Sequence, residues 1–93
     1  MAVRVVLASY LAAFADEERR IELPARPETV RAALESLGRI YPGVRARILT
    51  EQGHLRPHVN VFVEDESIRF LEGLSTPLPA ECEISILPAV SGG

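Results

Sequence analysis

The spacing of apolar residues along this chain changes once from a period of two to a helical period and then changes back. This pattern is compatible with few folds. Val3, Val5 and Leu7 alternate with other residues at the start, and Ile21 and Leu23 repeat the pattern in the run ERRIEL. Such alternation is typical of strands that bury one face. The first part of the chain therefore predicts two strands that pair antiparallel, the first of them beginning almost at the N-terminus.

The helical period follows between Pro27 and about Tyr41. Apolar residues recur there at intervals of three and four, with charged residues on the opposite side: Val30, Ala33, Leu34, Leu37 and Tyr41. This spacing predicts one amphipathic helix. Pro42-Gly43 is expected to end that helix, and the following run VRARIL allows a short helical turn.

The second half of the sequence returns to a period of two. The run VNVFV predicts a strand, the acidic residues 64–66 predict a turn, and SIRFL predicts a hairpin strand that pairs back. The final run CEISIL predicts a strand with Cys82, Ile84 and Ile86 facing inward and Leu87 facing outward. The order strand, strand, helix, strand, strand, strand indicates an α+β fold in which one main helix covers one face of a mixed sheet of about five strands.

This element order is compatible with a β-grasp, in which the sheet wraps the helix and the last strand lies between the first and the third. At 93 residues the chain is expected to form one domain, residues 1–93, with residues 88–93 as a flexible tail. A domain of this size has little room for a large enclosed active site.

Charge and cysteine content argue against several functions. The formal net charge is −3, opposite to the basic surface that nucleic acids and anionic membranes attract. No apolar run approaches the roughly 18 residues of a membrane span, and no cleavage site follows the apolar N-terminus. A single cysteine excludes an internal disulfide. We expect a cytoplasmic protein without nucleic-acid or membrane partners.

Few residues suggest chemistry within the domain. His54 and His58 have a helical metal-ligand spacing, but Gly53 and Pro57 disfavour a helix there and no third ligand is evident, so we predict no metal site. Cys82 is expected in the core, where a free thiol acts as a small apolar group. The sequence contains no Ser/His/Asp or Cys/His catalytic set and no phosphate-binding glycine loop. We therefore predict no catalytic residue and no bound cofactor.

The sequence ends with two glycines after the last predicted strand. With six glycines in the chain, two adjacent glycines at the end have a chance of about 0.4% by composition alone. Together with the preceding residues they form ILPAVSGG, and this ending, within the segment from Val59 to Gly93, resembles that of the ubiquitin-like sulfur carriers. That family includes the small subunit of molybdopterin synthase and the carriers for thiazole and cysteine synthesis.

The resemblance implies that the C-terminal carboxylate of Gly93 is adenylated by a ubiquitin-activating-type enzyme that uses ATP, and is then converted to a thiocarboxylate. Gly92 and Ser91 would thread the tail into the partner's narrow site, because glycine lacks a Cβ and small residues pass easily. The chain would then be a protein co-substrate, or the small subunit of a sulfur-transferring synthase, and a sulfur-accepting synthase would be its second partner. The resemblance leaves four destinations of the sulfur open: cysteine, molybdopterin, thiazole and thiolated RNA. The run RPHVNVFVEDESIRF resembles the cysteine-synthesis carrier more than the molybdopterin one.

Outward-facing strand residues predict where such partners bind. In a β-grasp, Val6, Phe62 and Leu87 fall on the sheet face opposite the helix and would form an apolar docking patch. Burying a fully exposed Phe62 is worth ~1.5–3 kcal/mol, which predicts roughly 10- to 150-fold weaker binding for Phe62→Ala.

Two other functions are compatible with the sequence. A ubiquitin-like modifier would be joined through Gly93 to lysines of target proteins. All ten basic residues are arginine, so such a modifier could not build chains on its own side chains. A β-grasp binding module with an incidental tail would require the two glycines to be dispensable.

Overall fold

Five strands form one mixed sheet in the computed structural model, which describes residues 2–24 and 26–88. The strands are β1 (Val3–Leu7), β2 (Arg20–Glu22), β3 (Val59–Val63), β4 (Glu66–Ser67) and β5 (Cys82–Pro88). Their order across the sheet is β2-β1-β5-β3-β4. Strand β5 runs parallel to β1, and the other neighbouring pairs are antiparallel. The last long strand therefore occupies the centre of the sheet, between the first and the third, as the sequence predicted.

Burial alternates along the strands with the same period of two that the apolar residues show in the sequence. Alternate residues of β1, β3 and β5 are almost completely buried, and they form one side of the core: Val3, Val5, Leu7, Val59, Val61, Val63, Cys82, Ile84 and Ile86. Ile21 of β2 and the following Leu23 are also buried. The predicted inward register of these four strands is confirmed, because successive side chains of a strand point to opposite faces.

The described residues form three α-helices: α1 (Ser9–Ala12), α2 (Val30–Ile40) and α3 (Pro42–Ile48). The main helix α2 buries the apolar stripe Val30, Ala33, Leu34 and Leu37 against the core. Its first turn is capped by Thr29, whose side-chain oxygen accepts a hydrogen bond from the backbone N–H of Ala32 at 3.1 Å. Within the described part of the chain, no helix has the length and apolar character needed to cross a membrane.

The structure corrects the predicted bounds of the main helix. It begins at Val30 instead of Pro27, because Thr29 provides the cap. Pro42-Gly43 ends this helix and also begins the next, because Pro42 is the first residue of α3. Proline suits the first position of a helix, where a backbone N–H would have no partner within the helix. The short turn predicted over VRARIL is thus part of a seven-residue helix.

Helices α2 and α3 pack closely and are joined by an ion pair. Arg45 donates two hydrogen bonds to the Glu35 carboxylate, at 2.8 and 2.9 Å. The close packing of the two helices depends on Gly38, because a Cβ at this position would lie 2.9 Å from the Cβ of Arg45.

Two further segments differ from the prediction. The stretch after β1 contains the short helix α1, which the sequence showed only as an irregular region. The predicted hairpin is present, but its second strand is not SIRFL: only Glu66 and Ser67 pair with β3, and the chain then forms a 3-10 helix, Ile68–Phe70. The turn before it is accordingly shorter than predicted, since Val63 pairs directly with Glu66.

Candidate functional site: the outer sheet face and the route to the tail

The sheet face that points away from the buried core carries the predicted docking residues. Val6 and Phe62 both lie opposite Ser85, one on each side of it, because β5 is the strand between β1 and β3. Leu87 is two residues further along β5 and pairs with Asn60. Leu87 is therefore a diagonal neighbour of Phe62, within reach of a large side chain but not directly opposite it.

Exposure of these residues is lower than the sequence suggested. Leu87 is 38% exposed, whereas Val6 and Phe62 are partly buried. The predicted patch is therefore two half-covered side chains separated by Ser85, with one more exposed residue close to the end of β5. The 10- to 150-fold effect expected for Phe62→Ala assumed full exposure, so it overestimates what this residue can contribute.

Strand β5 ends where the predicted tail begins. Pro88, predicted as the first residue of the tail, is instead the last residue of β5 and pairs with Val59. Leu87, the residue before Pro88, precedes Gly93 by six residues in the sequence. Three predicted tail residues, Ser91, Gly92 and Gly93, lie outside the residues that the structure describes.

Cys82 lies at the opposite end of the same strand. It pairs with Val3 and is 3% exposed. Burial raises the pKa of its thiol, and the negative charge of Glu64 raises it further. Six residues of extended strand separate Cys82 from Pro88, a distance of about 20 Å. The prediction that Cys82 belongs to the core is confirmed, and the reactive thiolate form is disfavoured there.

The remaining sequence candidates lie apart from this face. His54 and His58 are both exposed in the loop of residues 51–58, which is not helical. Among the described residues no group of three or more His, Cys, Asp or Glu could hold a metal ion. The acidic turn is exposed, and Glu64 accepts a hydrogen bond from the backbone N–H of Glu83 at 2.6 Å.

Sequence reasoning missed the segment of the 3-10 helix. Arg69 donates hydrogen bonds to the Asn60 side chain and to the backbone oxygens of Pro57 and Val59, at 3.1 to 3.2 Å. The next residue, Phe70, is 85% exposed. The sequence did not indicate this 3-10 helix because the run SIRFL fits a hairpin strand equally well. In a strand, Phe70 would have shared the face of Ile68.

Sheet order and helix placement define the class of this protein. A five-stranded mixed sheet with its last long strand in the centre, covered on one face by the main helix, is the ubiquitin-like β-grasp. The chain also matches the model of the ThiS family over residues 6–93, which includes both terminal glycines. It therefore belongs to the ThiS family, among the ubiquitin-like sulfur carriers that its ending resembles.

Relatives and solved structures agree with this assignment. The chain is 37% identical to the sulfur carrier protein CysO of Mycobacterium tuberculosis over 71 residues, which cover 74% of this chain and 76% of that protein. It is 37% identical to small archaeal modifier protein 3 of Haloferax volcanii over 65 residues, 70% of each chain. A chain of the Amycolatopsis orientalis BexX/CysO complex superposes with a TM-score of 0.86 and 32% identity, covering 99% of this chain and 100% of that one.

Proposed function

We propose that this protein is a sulfur carrier that holds sulfur as a thiocarboxylate on Gly93. The observation that supports this most is the family match, which extends through the Gly-Gly ending. The relative named sulfur carrier protein CysO favours the same function and favours cysteine synthesis over molybdopterin synthesis as the destination of the sulfur. The proposal places the chain in the cytoplasm, a reducing compartment that suits its free thiol.

The proposed chemistry takes place on the carboxylate of Gly93 in a partner's active site. A carboxylate oxygen attacks the α-phosphorus of ATP, which forms an acyl-adenylate and releases pyrophosphate. A sulfide-level sulfur nucleophile then attacks the acyl carbon, so that a C–S bond forms, the C–O bond to AMP breaks, and AMP leaves. The carboxyl group of a chain terminus has a pKa of ~3.3–3.7, so it is already the nucleophilic anion at neutral pH.

The domain's own contribution is presentation of the tail. Strand β5 is held on both sides, by β1 and by β3, up to Ile86, and its last two residues, Leu87 and Pro88, are paired with β3 alone. A segment fixed in the middle of a sheet gives the following residues a defined starting point, which reduces the conformational entropy lost when the tail enters a partner. In this proposal the protein is a co-substrate, and the catalytic groups belong to the adenylating enzyme and to the sulfur-accepting synthase.

Both partners would recognise the outer sheet face in turn. Leu87 is the exposed apolar residue on this face nearest to the tail, and Val6 and Phe62 extend the surface across the neighbouring strands. One face suffices for two enzymes because each needs the tail in its active site, so the two complexes form at different times.

Removal of Gly93 tests the proposal. The full-length protein is incubated with the adenylating enzyme of its source organism, ATP and labelled pyrophosphate. We expect exchange of label into ATP with the full chain and none with the Gly93 deletion. The deleted chain should keep the melting temperature of the full chain, which serves as the folding control. Undiminished exchange by the deletion variant would exclude a reaction at Gly93.

Conjugation to other proteins is the second candidate function, and the similarity to small archaeal modifier protein 3 favours it. Intact mass of the protein isolated from its own cells separates the two. A carrier shows a form in which one oxygen is replaced by sulfur, whereas a modifier appears in species of higher mass joined through an isopeptide bond.

A further inference from the structure

Phe70 is the most exposed large apolar residue in the described part of the chain, at 85%. It does not lie on a loose loop. Ile68, two residues before it, is 1% exposed and packs in the core, and Arg69 is held by three hydrogen bonds to residues 57–60. Both of these anchors lie just before Phe70, and after it the backbone N–H of Leu71 donates a hydrogen bond to the Ile68 oxygen at 3.1 Å. The backbone at Phe70 is thus held in one place, and its phenyl group is presented to solvent. An apolar side chain that is both exposed and held in place is typical of a binding anchor.

Phe70 borders an open groove of about 620 Å³. Its apolar lining includes Val63, Leu71, Pro77 and Pro79. The groove lies at the edge of the sheet, beside the short strand β4, and two prolines limit how far its walls can move. A groove of this kind accepts a side chain from another molecule without a large rearrangement of the protein.

The groove and the outer sheet face point in opposite directions. Val63 pairs directly with Glu66, so both side chains lie on the face that also carries the core. Phe62 pairs with Ser67, and both point to the other face. A partner on the outer face therefore leaves the groove open, unless that partner also extends around the β4 edge.

The rim of the groove is negatively charged. Glu64, Glu66 and Glu72 line it, and none of them forms an ion pair with another residue in the regions that the structure describes. The nearest arginine in sequence, Arg69, points its guanidinium away, toward Asn60. An apolar groove with an acidic rim is complementary to an apolar side chain flanked by basic residues.

We propose that this groove is a second docking surface for the adenylating enzyme, and that it binds a segment with an aliphatic or aromatic side chain flanked by arginine or lysine. The inference rests on the function proposed above. The outer face offers Leu87 at 38% exposure and two partly buried residues, whereas Phe70 exposes more than twice the fraction of Leu87. The larger part of the apolar surface available for recognition is therefore at Phe70, and an enzyme that contacts both faces of the β4 edge would use it.

Steady-state ATP–pyrophosphate exchange with the purified adenylating enzyme tests this surface. We expect Phe70→Ala to raise the KM for the carrier by roughly 8- to 70-fold with kcat unchanged, from the exposed share of a phenylalanine side chain. The melting temperature should stay close to that of the wild type. Glu66→Lys and Glu72→Lys should each raise KM, and Glu18→Lys should not, because Glu18 lies near the opposite edge of the sheet and changes the net charge equally.

The outcomes separate this proposal from the proposed function. Exchange by Phe70→Ala with the wild-type KM would overturn the second surface while leaving the carrier function intact. Equal KM values for Glu66→Lys and Glu18→Lys would overturn the basic character of the bound segment. A dimer of the wild-type protein in light scattering that Phe70→Ala converts to a monomer would assign the groove to a second copy of the chain and refute docking of the enzyme. Failure of the wild-type chain to support any exchange would overturn both proposals.

Discussion

Truncation of Leu87 to alanine measures how much the outer sheet face contributes to partner binding. Leu87 is 38% exposed, and fully burying a leucine side chain is worth ~1.5–3 kcal/mol. A partner that covers the exposed part gains that fraction, about 0.6–1.1 kcal/mol. We therefore expect Leu87→Ala to weaken binding of the adenylating enzyme by about 3- to 6-fold.

The same truncation also affects the folded domain. The part of Leu87 that is already buried contributes about 1–2 kcal/mol to the free energy of unfolding, which Leu87→Ala loses. A domain of this length has ~5–14 kcal/mol in total, so the variant remains almost entirely folded at 25 °C. A lower melting temperature is thus expected and does not by itself indicate a role in binding.

Ile40→Ala is the matched control. Ile40 is 40% exposed at the end of α2, close to the 38% of Leu87, and its side chain has the same number of carbon atoms but lies outside the sheet. It should lose a similar amount of stability, slightly offset by the better helix propensity of alanine. Isothermal titration calorimetry of both variants against the adenylating enzyme then separates binding from stability. Equal affinities of Leu87→Ala and Ile40→Ala would refute the assignment of the outer face as the docking surface.

Two other measurements test the chemistry of named side chains. Cys82→Ala should lower the free energy of unfolding by about 1 kcal/mol or somewhat more, and should still allow thiocarboxylate formation, because the thiol is buried and about 20 Å along the strand from Pro88; a folded Cys82→Ala protein that acquires no sulfur in mass spectrometry would contradict this. Glu35→Gln should be less stable than the wild type at neutral pH, because the hydrogen bonds from Arg45 hold the pKa of Glu35 below its usual range. A lowered folded pKa contributes stability above the unfolded pKa and loses it as the pH falls through the folded pKa, so the melting curves of Glu35→Gln and wild type should converge in acid. A constant difference between the two melting temperatures down to the most acidic pH tested would exclude the ion pair as its cause.

The sequence determined the long strands of the sheet and the face on which each of their side chains lies. Val3, Val5 and Leu7 alternate with exposed or partly buried residues, and β1, β2, β3 and β5 were all found with the predicted residues inside. The reason is that a strand's side-chain period is fixed at two, so a pattern of apolar residues assigns each side chain to a face without knowledge of the neighbours. The ending ILPAVSGG indicated the family in the same local way, since this motif is recognised from consecutive residues.

Segments without a clear period were decided by the tertiary structure. The run SIRFL has apolar residues that satisfy a strand as well as a turn of helix, and burial of Ile68 together with the hydrogen bonds of Arg69 selects the 3-10 helix. The short helix α1 is similar, because four residues carry too little pattern to be recognised.

The extent of exposure is a property of the tertiary structure alone. Periodicity places Phe62 and Leu87 on the outer face, but it cannot state how much of each side chain the adjacent strands cover. The register puts Phe62 beside Ser85 and makes it partly buried, and it leaves Leu87 more open near the end of the central strand. Phe70 is the opposite case. No pattern in the sequence distinguishes it, and the 3-10 helix makes it the most exposed large apolar residue that the structure describes. Exposure depends on which residues lie adjacent in space, and contacts between distant parts of the chain decide that.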